Sequence, residues 1–197
     1  MAPRNGYTLV EALVAVALAA LLALVTVPPL LRGSGRARVR LAAAEVTAAL
    51  RLARALAARH ATHVALRFES LGGERIGYAI YRDGDGDGVR RDDIAAGTDP
   101  LVVPRQELSH LGRGAGFGFA PGPAPRDPGD PRRRLDRLDD PIRFNQSDLA
   151  SFGPFGQVTP GSVYLTDGAR HQAVVRVFGR TGRTHVLWYD PDVELWR

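Results

Sequence analysis

Twenty consecutive residues, Ala12 to Leu31, carry no charge and are mostly Ala, Leu and Val. As a helix, such a run is about the ~20 residues needed to cross the hydrocarbon core of a bilayer. Glu11 sits on its threshold, and Arg4 is the only charged side chain before it. A carboxylate at the edge of lipid is costly and calls for a partner, so Glu11 is a candidate functional residue. A plain transmembrane anchor and a secretory signal peptide both contain an apolar run. A signal peptide would show a small-residue cleavage site just after it. Here the run ends in Pro28-Pro29-Leu30-Leu31-Arg32, with no A-x-A pattern.

The residues ahead of the run narrow the choice. Gly6-Tyr7-Thr8-Leu9-Val10-Glu11 resembles the class III leader of type IV pilins and pseudopilins, a short leader followed by G-F-T-L-x-E and an apolar helix. The resemblance implies that a prepilin peptidase cuts between Gly6 and Tyr7 and methylates the new N-terminus on Tyr7. The family's glutamate at the fifth mature position falls on Glu11, an assembly residue, and Tyr7 replaces the more usual Phe. It also implies residence in the inner (cytoplasmic) membrane before filament assembly, with the leader cytoplasmic and the C-terminal domain periplasmic. Arg32, Arg36, Arg38 and Arg40 just beyond the run oppose that orientation on a literal positive-inside count. The leader motif makes sense only with the leader inside, and it sets the expectation.

Removing residues 1–31 leaves 166 of 197, enough for one domain with its own core. There is no cysteine, which excludes disulfides and thiolate metal sites. All 26 basic residues are arginine. With abundant Ala, Gly, Leu and Pro, that reads as GC-rich coding more than as chosen chemistry, so the formal charge of +5 argues only weakly for a polyanionic partner.

Along the chain, residues 1–6 read as leader and 7–31 as the membrane segment. Pro28 and Pro29 predict a kink or local melting, and Gly33-Ser34-Gly35 a second flexible point. From 32 to 61 the helix resumes. Val39, Ala43, Val46, Leu50, Ala53 and Ala57 recur at spacings of four and three, one stripe for a sheet, with Arg36, Arg40, Arg51, Arg54 and Arg59 off it. Anchor and stripe together predict a helix of roughly 80 Å at ~1.5 Å per residue.

Residues 62–197 read as a β-rich head. The period shifts to two, with strands over Val64-Phe68 and Ile76-Tyr81 paired around Gly72-Gly73. Further strands are expected at Leu101-Val103, Ile142-Phe144, Ser162-Leu165, Ala173-Val177 and His185-Tyr189. The Gly/Pro/Arg/Asp-rich insert at 113–141 suits a long surface loop or a disordered segment. The expected fold class is α+β, pilin-like: a long N-terminal helix, transmembrane then amphipathic, packed on antiparallel sheet.

Phe152-Gly153-Pro154-Phe155-Gly156, Gly161-Ser162-Val163-Tyr164-Leu165 and Val175-Arg176-Val177, leading to Gly179-Arg180-Thr181-Gly182-Arg183, resemble the GspH/FimT pseudopilins. That likeness implies a minor pilin or pseudopilin of a type II secretion system or type IV pilus, with other pilins as partners. It also opens an alternative, a FimT-like minor pilin that binds DNA through Arg176, Arg180 and Arg183. Solvated turn arginines account for the same residues.

Asp83-Gly84-Asp85-Gly86-Asp87-Gly88 has the one metal-like spacing. Carboxylates at alternate positions followed by glycine match the start of an EF-hand-type calcium loop, with Asp83, Asp85 and Asp87 as ligands. The twelfth position is Ile94, leaving Asp92, Asp93 or Asp99 to substitute. Repeated Asp-Gly is equally good metal-free turn chemistry. The five histidines form no ligand motif, and no nucleophile elbow or Walker loop is present. Asn145-Gln146-Ser147 matches a glycosylation acceptor. No catalytic site is expected.

Overall fold

A computed structural model describes residues 8–72, 75–108, 114–145, 147–179 and 181–197, with the side chains of 23–34 outside that set. The chain falls into two compact units, Met1–Ser34 and Gly35–Arg197. The long helix α1 (Leu9–His60) begins in the first and ends in the second. Of the kink or local melting expected there, the melting is not seen: the backbone is helical through Pro28, Pro29 and Gly33. Each proline removes one backbone donor and crowds the carbonyl of the previous turn, and the Ala- and Leu-rich turns on either side propagate the helix across it.

In the first unit every described side chain from Thr8 to Leu22 is exposed. Among the described residues no helix is long and apolar enough to cross a membrane. The apolar run continues into 23–31, beyond that set.

The second unit is α+β. Val39, Ala43, Val46, Leu50, Ala53 and Ala57, the predicted stripe, are all buried, joined by Ala42. The arginines predicted off the stripe are exposed. Two antiparallel sheets complete the core. The first has the order β3 (Leu101–Gln106), β2 (Ile76–Arg82), β1 (Val64–Ser70), β6 (Leu149–Phe152). The second has the order β10 (Leu195–Trp196), β9 (Thr184–Asp190), β8 (Gln172–Val177), β7 (Gly161–Thr166), β4 (Gly116–Phe117), and β5 (Ile142–Arg143) also pairs β7. The helical stripe shares one core with Leu66 and Phe68 of the first sheet and Val163, Leu165 and Val175 of the second. Phe68 anchors it, stacked on Phe144 at 6.0 Å and edge-on to Phe117 at 5.9 Å.

Gly35 has a packing role beyond flexibility. A Cβ there would collide with Oδ2 of Asp167, in the turn between β7 and β8. That buried carboxylate takes N–H groups of Ala169, Arg170 and His171 on its other oxygen, each at 3.0 Å. Nδ1 of His171 lies 2.7 Å from Oδ2.

The seven predicted strands are present, and β4, β6, β10 and the short helix α2 (Arg91–Ala96) are additions. The insert is the long, mostly irregular loop expected, and its described residues, 114–141, add only β4 and a bridge between Arg126 and Arg134. Struts from the sheet hold it: Trp196 Nε1 donates to Arg126 O at 2.6 Å, and Arg176 Nη1 to Pro128 O at 2.6 Å. Leu135 is buried against Tyr164 and Val174. The Arg143 guanidinium lies 5.7 Å from the Phe119 ring and 5.3 Å from Tyr164.

Candidate functional site

Three places carry the sequence candidates. At the N-terminus, Gly6 and Tyr7 lie outside the described residues. Glu11 forms a capping box with Thr8, the residue before α1. Thr8 N–H and Thr8 Oγ1 donate to Glu11 Oε2 at 2.9 and 3.1 Å, and Glu11 N–H donates to Thr8 Oγ1 at 3.2 Å. Two helix-end donors that would otherwise lack partners are thereby satisfied. The spacing Thr8-Leu9-Val10-Glu11 is itself the sequence signal for this cap. Glu11 Oε1 takes no hydrogen bond among the described residues, so the carboxylate is held by one oxygen with the other open.

The acidic loop follows β2. One oxygen each from Asp83, Asp85 and Asp87 lies within 4.8 Å of the others. Asp83 is buried and accepts N–H groups from Gly86 at 2.7 Å, Gly88 at 3.1 Å and Asp85 at 3.2 Å. Burial opposes its charge, but those donors and nearby His63 hold its carboxyl below the ordinary value. Asp87 is shifted the other way. Partial desolvation raises it against the pull of Arg90, and the carboxylates of Asp85 and Asp93 add to the rise. Gly88 takes φ of +94°, which suits the turn glycine of a calcium loop.

The loop's far side departs from that pattern. Ile94, at the twelfth position, packs with Val89, Ala65 and Leu149. Asp99 braces the loop instead, its oxygens accepting Gly84 N–H at 3.0 Å and Arg90 N–H at 2.9 Å. The loop thus offers three converging oxygens to a hard cation, and its internal hydrogen bonds also close it as a turn.

The C-terminal arginines separate. Arg176 is the strut under Pro128, stacked on Phe178 at 5.1 Å. Arg180 lies outside the described residues. Arg183 is exposed and lines a pocket of about 260 Å³ with Arg51, Arg54 and His185. Arg54 Nη1 donates to Gly182 O at 2.8 Å, joining α1 to the turn between β8 and β9. Arg51 and Arg54 were legible only as the outer face of a helix, and the tertiary fold brings them to Arg183.

Comparison with curated proteins and with solved structures yields no match for this chain. Residues 1–27 match the family model of the prokaryotic N-terminal methylation motif, a type IV pilin-like prepilin motif. It implies a prepilin peptidase substrate, anchored in the membrane by its N-terminus, that assembles with other pilins as a structural subunit.

Proposed function

We propose that this chain is a minor pilin or pseudopilin of the GspH/FimT type, built into a type II secretion pseudopilus or a type IV pilus. The observation that carries the reading is the methylation motif running directly into an exposed apolar helix at Glu11. In this reading residues 1–6 are the leader, 7–31 the anchor, 32–61 the rest of the helix and 62–197 the periplasmic head. Prepilin peptidase cuts between Gly6 and Tyr7 and methylates Tyr7. Glu11, steadied by Thr8 through one oxygen, offers the other to the methylated amine of a neighbouring subunit. In a water-poor filament core such a pair sets register between helices, because leaving either charge alone is costly. Mass spectrometry of membrane-extracted protein tests this. The expected N-terminus is Tyr7 with one methyl group, and an intact Met1 terminus in cells with active prepilin peptidase overturns the reading.

A second reading, DNA capture, draws support from one observation. Arg51, Arg54 and Arg183 surround one pocket, and none makes an ion pair with a carboxylate among the described residues. In this reading they replace Arg176 as the phosphate contacts. Sequence-independent binding that weakens steeply with salt, and drops in an Arg51→Ala, Arg183→Ala double variant, favours it. Absence of binding near physiological salt leaves the filament role alone.

A further inference from the structure

A second pocket, of about 370 Å³, lies on the first turn of the second unit, where Arg36 faces the β8–β9 side of the sheet. Arg36, Arg170 and Arg197 contribute cations, Asp190 and Asp192 contribute carboxylates, and Trp188 contributes an indole. The charges are only partly matched. Arg170 Nη2 donates to both oxygens of Asp192, at 2.8 and 3.0 Å, and Arg197 lies 3.5 Å from Asp190. Arg36 makes no ion pair among the described residues. Gln172 also lines the pocket, only 6% exposed, and its Oε1 has no donor among the described residues. An unmatched guanidinium and an unsatisfied buried acceptor in one pocket point to a ligand bearing both an oxyanion and an N–H donor.

We propose that this pocket takes the phosphoethanolamine headgroup of a bilayer lipid. The inference rests on the reading of Ala12 to Leu31 as a membrane anchor. Arg36 stands five residues past Leu31. Five residues span at most ~18 Å, so the chain itself tethers the pocket to the end of the apolar run. The phosphate is held by Arg36, flanked by Arg170 and Arg197. The primary ammonium is held by Asp190 and Asp192, with Gln172 Oε1 as a further acceptor. The two carboxylates disfavour a purely anionic headgroup. A choline headgroup lacks the N–H that they and Gln172 accept. Trp188, with the Arg40 guanidinium 5.7 Å from its ring, supplies the kind of amphipathic indole that favours a membrane–water boundary.

The test uses the full-length chain held in amphipol, with Trp196→Phe leaving Trp188 as the single indole. Dihexanoyl phosphatidylethanolamine is titrated against Trp188 fluorescence, with the phosphatidylglycerol and phosphatidylcholine analogues alongside. A saturable response to the ethanolamine lipid is expected, about tenfold tighter than to either analogue. Arg36→Ala with Arg170→Ala should weaken it about tenfold, while Asp190→Asn with Asp192→Asn should abolish the preference over phosphatidylglycerol. Thermal melting of each variant checks that the fold is kept, and Arg36→Lys with Arg170→Lys should recover part of the affinity. No saturable response, an equal response to all three lipids, or no effect of the arginine substitutions overturns the proposal. Retention of the chain in vesicles through an alkaline carbonate wash is read separately. Loss of retention overturns the anchor, and the headgroup assignment with it. Retention without saturable binding overturns the pocket alone.

Discussion

The described part of α1 before Gly35 and the part after it are built from similar residues and have opposite surroundings. Leu13 and Val16 are 62% and 67% exposed, whereas Val46 and Leu50 are 1% and 0% exposed. The later part confines its apolar residues to one stripe, and two sheets of the same chain cover that stripe. The earlier part is apolar all round, and nothing within the described chain covers it. A helix of that kind is stable only against something outside its own fold, lipid or other apolar helices. The difference is therefore one of partner. The second unit carries its own, while the described chain supplies none for the first.

The largest expected break in this comparison comes from Glu11. Glu11→Val should leave processing and membrane abundance at wild-type levels, because the anchor only becomes more apolar. Incorporation into filaments, read by co-purification or crosslinking, should fall by about tenfold or more as the neighbour's amine loses its partner. Normal co-assembly would mean that the carboxylate acts only as a helix cap. Glu11→Gln, which keeps an acceptor but not the charge, should lie between the two.

Core truncation comes next. Leu50→Ala should cost about 2–5 kcal/mol and lower the melting temperature of the full chain in detergent. Leu13→Ala, the same change before Gly35, should leave that temperature unmoved. Equal effects would erase the distinction between the two parts of the helix. Gly35→Ala should cost roughly 1–3 kcal/mol, since the added methyl displaces Asp167 and the turn it organises. An unchanged melting temperature would show that the turn yields freely.

Calcium at millimolar concentration should raise the melting temperature of the second unit by an amount that grows with concentration, and Asp85→Ala should remove the rise. A flat response assigns Asp83 to Gly88 to plain turn chemistry. The smallest expected effect is on the acid side. Asp83 and Asp167 both have carboxyl groups held below the ordinary value, and in each the N–H donors outweigh the burial that opposes the charge. A depressed folded-state value stabilises the fold above the unfolded value and loses that contribution as pH falls through the folded one. Stability should therefore decline below about pH 4. Asp83→Asn should make that decline shallower while lowering stability at neutral pH. An identical acid profile in the variant would contradict the role given to the loop's hydrogen bonds.

The regular parts of the fold were legible because their signals are local. The stripe from Val39 to Ala57 lies at helical spacing, and β1, β2, β7, β8 and β9 alternate or run apolar over several residues. β4 and β10, two residues each, are too short to show a period. The four-residue β6 exists because its residues pair with β1 from Arg67 to Val64. The insert is irregular, as its composition predicts, but its partners were not legible: Trp196 and Arg176 reach it from distant strands, and Arg143 from the strand that follows it.

The capping box at Thr8 and Glu11, the apolar run and the buried stripe were determined by the sequence alone, since each depends on residues a few positions apart. The tertiary structure decided the rest. It turned Arg176 inward to the insert and gathered Arg51 and Arg54 to Arg183. It set Asp167 against Gly35, and it placed Arg36 beside Trp188, Asp190 and Asp192. A guanidinium or carboxylate takes its chemistry from what lies within a few ångströms of it. For these residues those neighbours come from strands far away in the chain, and only the closing of the two sheets on the helix brings them near.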